Sequence, residues 1–84
     1  FGRRVKENGS LGTDHGAASQ MFLIGDAIKA GLHGKHPDLT DLTGGAPKHH
    51  TDFRSVYTSL LEDWLNWPAE AAVGGNFKKP RLFA

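Results

Sequence analysis

Apolar residues concentrate in two places along the chain, a short run after residue 20 and a longer periodic segment after Thr51. In the longer segment they recur at the i, i+3, i+4, i+7 spacing that places side chains on one face of a helix. These residues are Phe53, Val56, Tyr57, Leu60, Leu61, Trp64 and Leu65. The pattern predicts a helix over residues 52–66, capped by the Thr51 hydroxyl and ended ahead of Pro68, with the apolar stripe buried.

The shorter apolar run covers residues 21–24 and is bounded by Gln20 and Gly25. Its length and its boundaries predict a strand near residues 20–25 that is covered on both faces. A helix is the alternative, because Ala17, Met21 and Ile24 also fall at helical spacing. Gly25 inside such a helix would cost about 1 kcal/mol relative to alanine. The run is smaller than the predicted stripe, so the main helix needs further apolar surface.

The remaining segments carry little periodicity. Residues 1–16 are polar and punctuated by glycine, which predicts a loop. The sequence of residues 25–47 predicts an irregular segment that contains an extended piece near 28–32 and a helical turn within 38–45. Residues 69–73 are predicted to form a short helix. Loops of this length are unusual in a compact independent domain. We therefore expect residues 1–84 to be a single partial domain whose partner is the upstream remainder of the same protein.

Composition narrows the range of functions. The net charge is +1, and the ten Lys and Arg residues are scattered, so we expect no nucleic-acid partner. The absence of cysteine excludes disulfides and thiolate metal sites within this sequence. No apolar run reaches the length of a membrane span, and we expect none.

The motif Gly12-Thr13-Asp14-His15-Gly16 is the first candidate for chemistry. Imidazole nitrogen and carboxylate oxygen are ligands of zinc, manganese and similar divalent cations, and the flanking glycines would let a ligand approach the backbone closely. Solvated polar surface is the alternative for this pair. His33 and His36 could meet a metal on a helical turn, but the intervening glycine and the following proline favour solvated loop histidines.

Four further residues are candidates for binding an anion. The guanidinium groups of Arg3 and Arg4 could hold one, or could anchor their loop through salt bridges. His49 and His50 precede the predicted helix, whose N-terminus favours anions, so they could approach a phosphate or sulfate; exposed polar residues are the alternative. Trp64 is predicted to lie in the core and Trp67 to cover the helix end.

Three motifs together resemble a known bacterial family. They are Phe1-Gly2-Arg3, Asp14-His15-Gly16 and Thr51-Asp52-Phe53-Arg54, and the resemblance extends over nearly the whole sequence. It is to the C-terminal part of the family catalogued as domain of unknown function 1501, often labelled sulfatase-like, within the alkaline phosphatase superfamily.

The resemblance implies an α/β fold, namely the C-terminal segment of an alkaline-phosphatase-like doubly wound domain. It also implies a secreted or periplasmic hydrolase of sulfate or phosphate esters on small molecules or glycans. A divalent metal (zinc, calcium or manganese) would be held partly by His15, and Asp14 need not be a ligand. The nucleophile and the other ligands would lie upstream, so no catalytic residue is expected within these 84 residues.

One position departs from the metal-dependent members of the superfamily. If Phe1-Gly2-Arg3 marks the end of the strand that carries an Asp-His pair in those members, Phe1 stands where a metal-binding histidine is expected. The alternative function is therefore a non-catalytic relative that keeps the fold and binds a glycan or a protein.

Overall fold

A computed structural model describes residues 2–84, and it shows a mixed helix and strand segment with two small sheets and two α-helices. The residues divide into two compact units. The first comprises residues 2–22 with Lys35–His50, and the second comprises Leu23–Gly34 with Thr51–Ala84. Within the described residues, no helix has both the length and the apolar character needed to cross a bilayer.

The first unit begins with an antiparallel hairpin, which corrects the prediction of a loop over residues 1–16. Strand β1 is Arg3–Glu7 and strand β2 is Thr13–His15. Arg3 pairs with His15 and Glu7 with Thr13, so β1 is irregular between these two pairs. In that irregular stretch the Val5 N–H donates to the Gly45 carbonyl at 2.7 Å. All five residues of β1 are exposed, which explains why its sequence shows no apolar alternation.

A second hairpin replaces the helical turn predicted within residues 38–45. Strands β3 (Leu42–Thr43) and β4 (Ala46–Pro47) are antiparallel and are joined by Gly44 and Gly45. These glycines have φ of 59° and 79°, the left-handed conformation that a tight two-residue hairpin turn demands at both positions. A turn does precede β3, where the Asp41 N–H donates to the Asp38 carbonyl at 3.2 Å.

The predicted strand near residues 20–25 is not formed, and neither is the alternative helix. Residues 21–24 have no regular secondary structure, and Ile24 is 97% exposed. A strand needs a partner for its backbone, and among the described residues none pairs with this run. The extended piece predicted near 28–32 is present at Ile28, which bridges to Phe83, while the Lys29 N–H donates to the Leu82 carbonyl at 2.7 Å.

The second unit contains the predicted main helix. It begins as α1 (Phe53–Ser59) and continues as a π-helical segment (Leu60–Trp64), in which the Leu65 N–H donates to the Leu60 carbonyl at 3.1 Å. The N-cap is Asp52 rather than the predicted Thr51, because the Asp52 carboxylate accepts from the Arg54 N–H at 2.9 Å. A carboxylate there also complements the helix dipole. Helix α2 (Glu70–Val73) confirms the predicted short helix and ends at Gly74.

The helix buries its polar side and exposes much of its apolar side, which contradicts the predicted burial of the stripe. Ser55, Thr58 and Ser59 are buried, and Ser59 is wholly inaccessible. Four residues, here named the apolar face, are between 46% and 61% exposed: Phe53, Tyr57, Trp64 and Leu65. The remaining stripe residues, Val56, Leu60 and Leu61, are half-buried. Trp67, predicted to cover the helix end, is 64% exposed.

The C-terminal tail, residues 76–84, packs against the polar side of the helix, and its Phe83 ring also stacks on Trp64 with the ring centroids 5.9 Å apart. The Ser59 hydroxyl donates to the Pro80 carbonyl at 3.1 Å, and Leu82 is buried. Lys79 Nζ lies 2.8 Å from Asp63 Oδ1, and this hydrogen bond raises the pKa of Lys79. Small buried side chains, Ser59 and Ala69 among them, let these segments approach closely. The core of this unit is therefore built mainly from small residues and hydrogen bonds.

Candidate functional site

The hairpin of β1 and β2 places Arg3 and His15 directly opposite each other. Residues in opposed register on antiparallel strands project from the same face of a sheet, with Cβ atoms about 5 Å apart. Both residues are exposed. The Arg3 guanidinium also donates from Nη1 to the Thr13 carbonyl at 2.9 Å, which holds this long side chain along β2. The His15 imidazole and the Arg3 guanidinium therefore lie on one accessible surface.

Asp14 does not join His15 on that surface. Consecutive residues of a strand project to opposite faces, and both residues belong to β2. The Asp14 carboxylate instead accepts a hydrogen bond from Asn8 Nδ2 at 2.9 Å. The geometry therefore separates the two side chains of the motif: His15 lies beside Arg3, whereas the Asp14 carboxylate is hydrogen-bonded to the loop that joins the strands.

Asn8 organises that loop, and the sequence analysis did not single it out. Its Oδ1 accepts from the Ser10 N–H at 2.9 Å and from the Gly12 N–H at 3.0 Å, while its own backbone N–H donates to the Gly12 carbonyl at 2.8 Å. The signal was present in the sequence, because Asn followed by Gly is a strong turn dipeptide between strands. The strand next to this turn was not predicted, because the charged sequence of β1 has no apolar alternation.

The glycines of the Phe-Gly-Arg and Asp-His-Gly motifs are explained by close backbone approach. The Gly16 N–H donates to the Gly2 carbonyl at 2.8 Å. A Cβ at Gly16 would lie 2.7 Å from the Arg3 carbonyl carbon, and a Cβ at Gly2 would lie 2.5 Å from the Ala18 oxygen. Neither position has room for a side chain, so the two motifs are the two sides of one tightly packed backbone crossing.

Arg4 lies apart from Arg3. The two are consecutive in β1, so their side chains project to opposite faces and do not form one clamp. Arg4 lines a shallow polar cleft of mixed charge, whose other lining residues are Lys6, Glu7, Asn8, Gly9 and Asp14. Because this cleft contains two carboxylates as well as two cations, its charge does not favour a simple anion.

His49 and His50 are exposed residues ahead of α1. The helix N-terminus that suggested an anion site already has a negative charge, since the Asp52 carboxylate caps it and pairs with Arg54, with Oδ2 and Nη2 2.8 Å apart. The Asp52 hydrogen bond raises the pKa of Arg54. An added anion at this helix end would therefore meet a fixed carboxylate.

The remaining histidines contact backbone carbonyls. His33 Nε2 lies 2.7 Å from the Lys29 carbonyl oxygen, and His36 Nδ1 lies 2.9 Å from the Pro37 carbonyl oxygen. Throughout residues 2–84, no group of three or more His, Asp or Glu side chains is arranged to hold a metal ion. A catalytic zinc site takes three protein ligands. The described residues therefore do not supply a complete set of three, and His15 is the candidate ligand that lies beside Arg3.

These observations define a mixed helix and strand segment with an Arg3 and His15 pair on an exposed hairpin. A family model described as a protein of unknown function (DUF1501) matches residues 1–62. The chain therefore belongs to this family, which confirms the resemblance inferred from the motifs. No curated protein and no solved structure matches the chain.

Proposed function

We propose that this chain contributes one wall of the active site of a metal-dependent hydrolase of sulfate or phosphate esters. The observation that carries the proposal is the opposed register of Arg3 and His15. A guanidinium fork suits the oxygens of a sulfate or phosphate group, and an imidazole suits a divalent metal. The two groups lie on one exposed surface, so they can meet the same ester.

The larger protein in this proposal is a secreted or periplasmic, alkaline-phosphatase-like α/β domain. The apolar face of the main helix supports it, because four large side chains there are about half exposed and their burial against other parts of the polypeptide would be favourable. The nucleophile and the remaining metal ligands belong to those other parts. Family membership through residues 1–62 places the hairpin inside the matched region.

His15 would hold the metal, a zinc, calcium or manganese ion, through a ring nitrogen. A metal in such a site supplies Lewis acidity to the ester oxygen. Arg3 would hold the non-bridging oxygens through the guanidinium N–H groups other than the one used by the Thr13 carbonyl. Asp14 has a positioning role, because its hydrogen bond with Asn8 ties β2 to the loop.

The test is metal analysis and aryl ester hydrolysis of the full-length protein carrying His15→Ala. We expect metal affinity to fall by at least about tenfold, the scale on which even the outer partners of metal ligands act, with hydrolysis lost in parallel. Arg3→Met should instead raise KM and leave metal content unchanged. His49→Ala is the matched control, an exposed histidine that should change neither quantity. Unchanged metal content and unchanged hydrolysis in His15→Ala would refute the proposal.

A non-catalytic role in binding a protein or a glycan is the second candidate. It is favoured by the apolar face, which offers Phe53, Tyr57 and the side of Trp64 that is not stacked on Phe83 to a partner. It is also favoured by Phe1 at the position expected for a metal-binding histidine, although Phe1 lies outside the described residues. Hydrolysis of an aryl sulfate or phosphate that a chelator abolishes would count against this role.

A further inference from the structure

From the loop between β1 and β2 we infer a site of covalent modification, at which Asn8 deamidates by attack of the Gly9 backbone nitrogen. Ring closure between an asparagine side chain and the next backbone nitrogen is obstructed by a side chain on the following residue, and glycine has none. The inference concerns the hairpin itself and does not depend on the proposed hydrolase activity.

The reaction needs only water. The Gly9 nitrogen loses its proton and bonds to Asn8 Cγ, and the Cγ–Nδ2 bond breaks, so that the side-chain nitrogen leaves as ammonia. Water then opens the cyclic imide. Hydrolysis at the side-chain carbonyl gives aspartate, and hydrolysis at the main-chain carbonyl gives isoaspartate. One water is consumed and one ammonia released, with no change in oxidation state.

The loop supplies donors at the atom where negative charge develops. Attack on Cγ moves charge onto Oδ1, which already accepts from the Ser10 and Gly12 N–H groups at 2.9 and 3.0 Å. Two backbone donors are therefore already hydrogen-bonded to the oxygen on which the charge develops, which is the kind of stabilisation that an oxyanion receives in acyl transfer. The Gly12 donor is brought to Asn8 by the turn, so a flexible peptide of the same sequence would hold it there less often.

The nucleophile and the leaving group are also well placed. Gly9 is exposed, and within the described part of the chain its N–H has no hydrogen-bond partner. Solvent base can therefore reach it. The leaving nitrogen, Asn8 Nδ2, donates to the Asp14 carboxylate at 2.9 Å. A carboxylate thus lies beside the atom that must gain a proton, and it can relay one from solvent.

Modification would release the turn. An aspartate at position 8 lacks the donor that Asp14 accepts from and places a second carboxylate against the first, where like charges repel. Isoaspartate in addition inserts a carbon into the backbone. The loop has little to oppose this, since Leu11 is held at φ 62°, a conformation unfavourable for a residue with a side chain. The hairpin carrying His15 would consequently open.

The test is timed incubation of the folded chain, with peptide mass spectrometry and enzymatic isoaspartate detection. Asn66 and Asn76 are internal controls because each precedes a bulky aromatic residue. We expect Asn8 to convert while both controls remain amidated, and to convert several-fold faster than in a short synthetic peptide of residues 5–13. Conversion no faster than in that peptide, or no faster than at the controls, would overturn the inference.

Two variants separate the chemistry from its consequence. Gly9→Ala should slow conversion several-fold while keeping the hairpin, because a Cβ there would meet nothing within 4 Å. Asn8→Asp should reproduce the loss of hydrogen-exchange protection in β1 and β2, whereas Asn76→Asp should not. Unchanged protection in Asn8→Asp would overturn the predicted release of the turn.

Discussion

The hairpin of β1 and β2 and the helix α1 are stabilised in different ways. The hairpin has exposed side chains throughout β1, and its order comes from backbone contacts and from the amide of Asn8. The helix has strong apolar periodicity, yet its buried side chains are Ser55, Thr58 and Ser59. The apolar periodicity of the helix predicts that a helix forms, but it does not predict which side of that helix this chain buries. In the hairpin, a glycine indicates a close backbone contact although the sequence around it has no apolar periodicity.

The largest effect is expected where the hairpin leaves no room. In Gly2→Ala, the new Cβ would meet the Ala18 and Gly16 carbonyl oxygens at 2.5 and 2.7 Å, so backbone must move. We expect a loss of about 3 kcal/mol, the upper end of typical overpacking costs. Hydrogen exchange of the hairpin amides measures it. Gly9→Ala is the control within the same hairpin, and an equal loss in both variants would contradict the contact explanation.

The second effect tests the polar side of the helix. Ser59→Ala removes the hydroxyl that donates to the Pro80 carbonyl and leaves that carbonyl without this donor, so we expect a loss of about 1–2 kcal/mol. Thermal or denaturant unfolding of the second unit is the measurement.

Thr58→Val is the matched control for Ser59→Ala. The Thr58 hydroxyl is also buried, but it donates at 2.7 Å to the Arg54 carbonyl within the same helix. Such a bond to the preceding turn adds little stability. A loss in Thr58→Val as large as in Ser59→Ala would show that the contact with the tail has no special role.

These two regions also show which features the sequence could predict. The main helix followed from periodicity and Pro68, and the short helix followed from Gly74 and Gly75. The N-cap is Asp52 instead of the predicted Thr51, because the Asp52 carboxylate both accepts a hydrogen bond from the Arg54 N–H and complements the helix dipole. The buried face could not be predicted, since burial depends on what lies nearby, and here the C-terminal tail covers the polar side.

The prediction of a strand near residues 20–25 was wrong for a related reason. An apolar run indicates a buried strand only if neighbouring strands are available to pair with it, and within the described residues none pairs with residues 21–24. For the candidate site, His15 and Arg3 could be identified by residue type. Their opposed register could not be predicted, because β1 is irregular and its charged sequence shows no apolar alternation from which a register could be inferred.

The third effect concerns the apolar face. Leu65 is 61% exposed, so Leu65→Ser in the 84-residue chain should change the free energy of unfolding by no more than about 0.5 kcal/mol. Leu82→Ala is the buried comparison, and it should cost about 2 kcal/mol or more because Leu82 is 4% exposed. In the full-length protein the proposed function predicts a larger cost for Leu65→Ser. Equal costs in the short and full-length chains would count against burial of this face there.

The smallest effect is electrostatic and distinguishes two similar turns of the first unit. Asp38 Oδ1 accepts from the Thr40 hydroxyl at 2.6 Å and from the Thr40 N–H at 2.9 Å, and these hydrogen bonds lower the pKa of Asp38. Since the folded pKa is lower than the unfolded one, the stabilisation is present above the unfolded pKa. It is lost as pH falls through the folded pKa, below the ordinary range of an aspartate. Asn8 makes the equivalent bond to the Ser10 N–H through an amide, which gains no proton in that range. An NMR titration should therefore shift the Thr40 amide in acid before the Ser10 amide responds, and simultaneous shifts would show that the two turns open together.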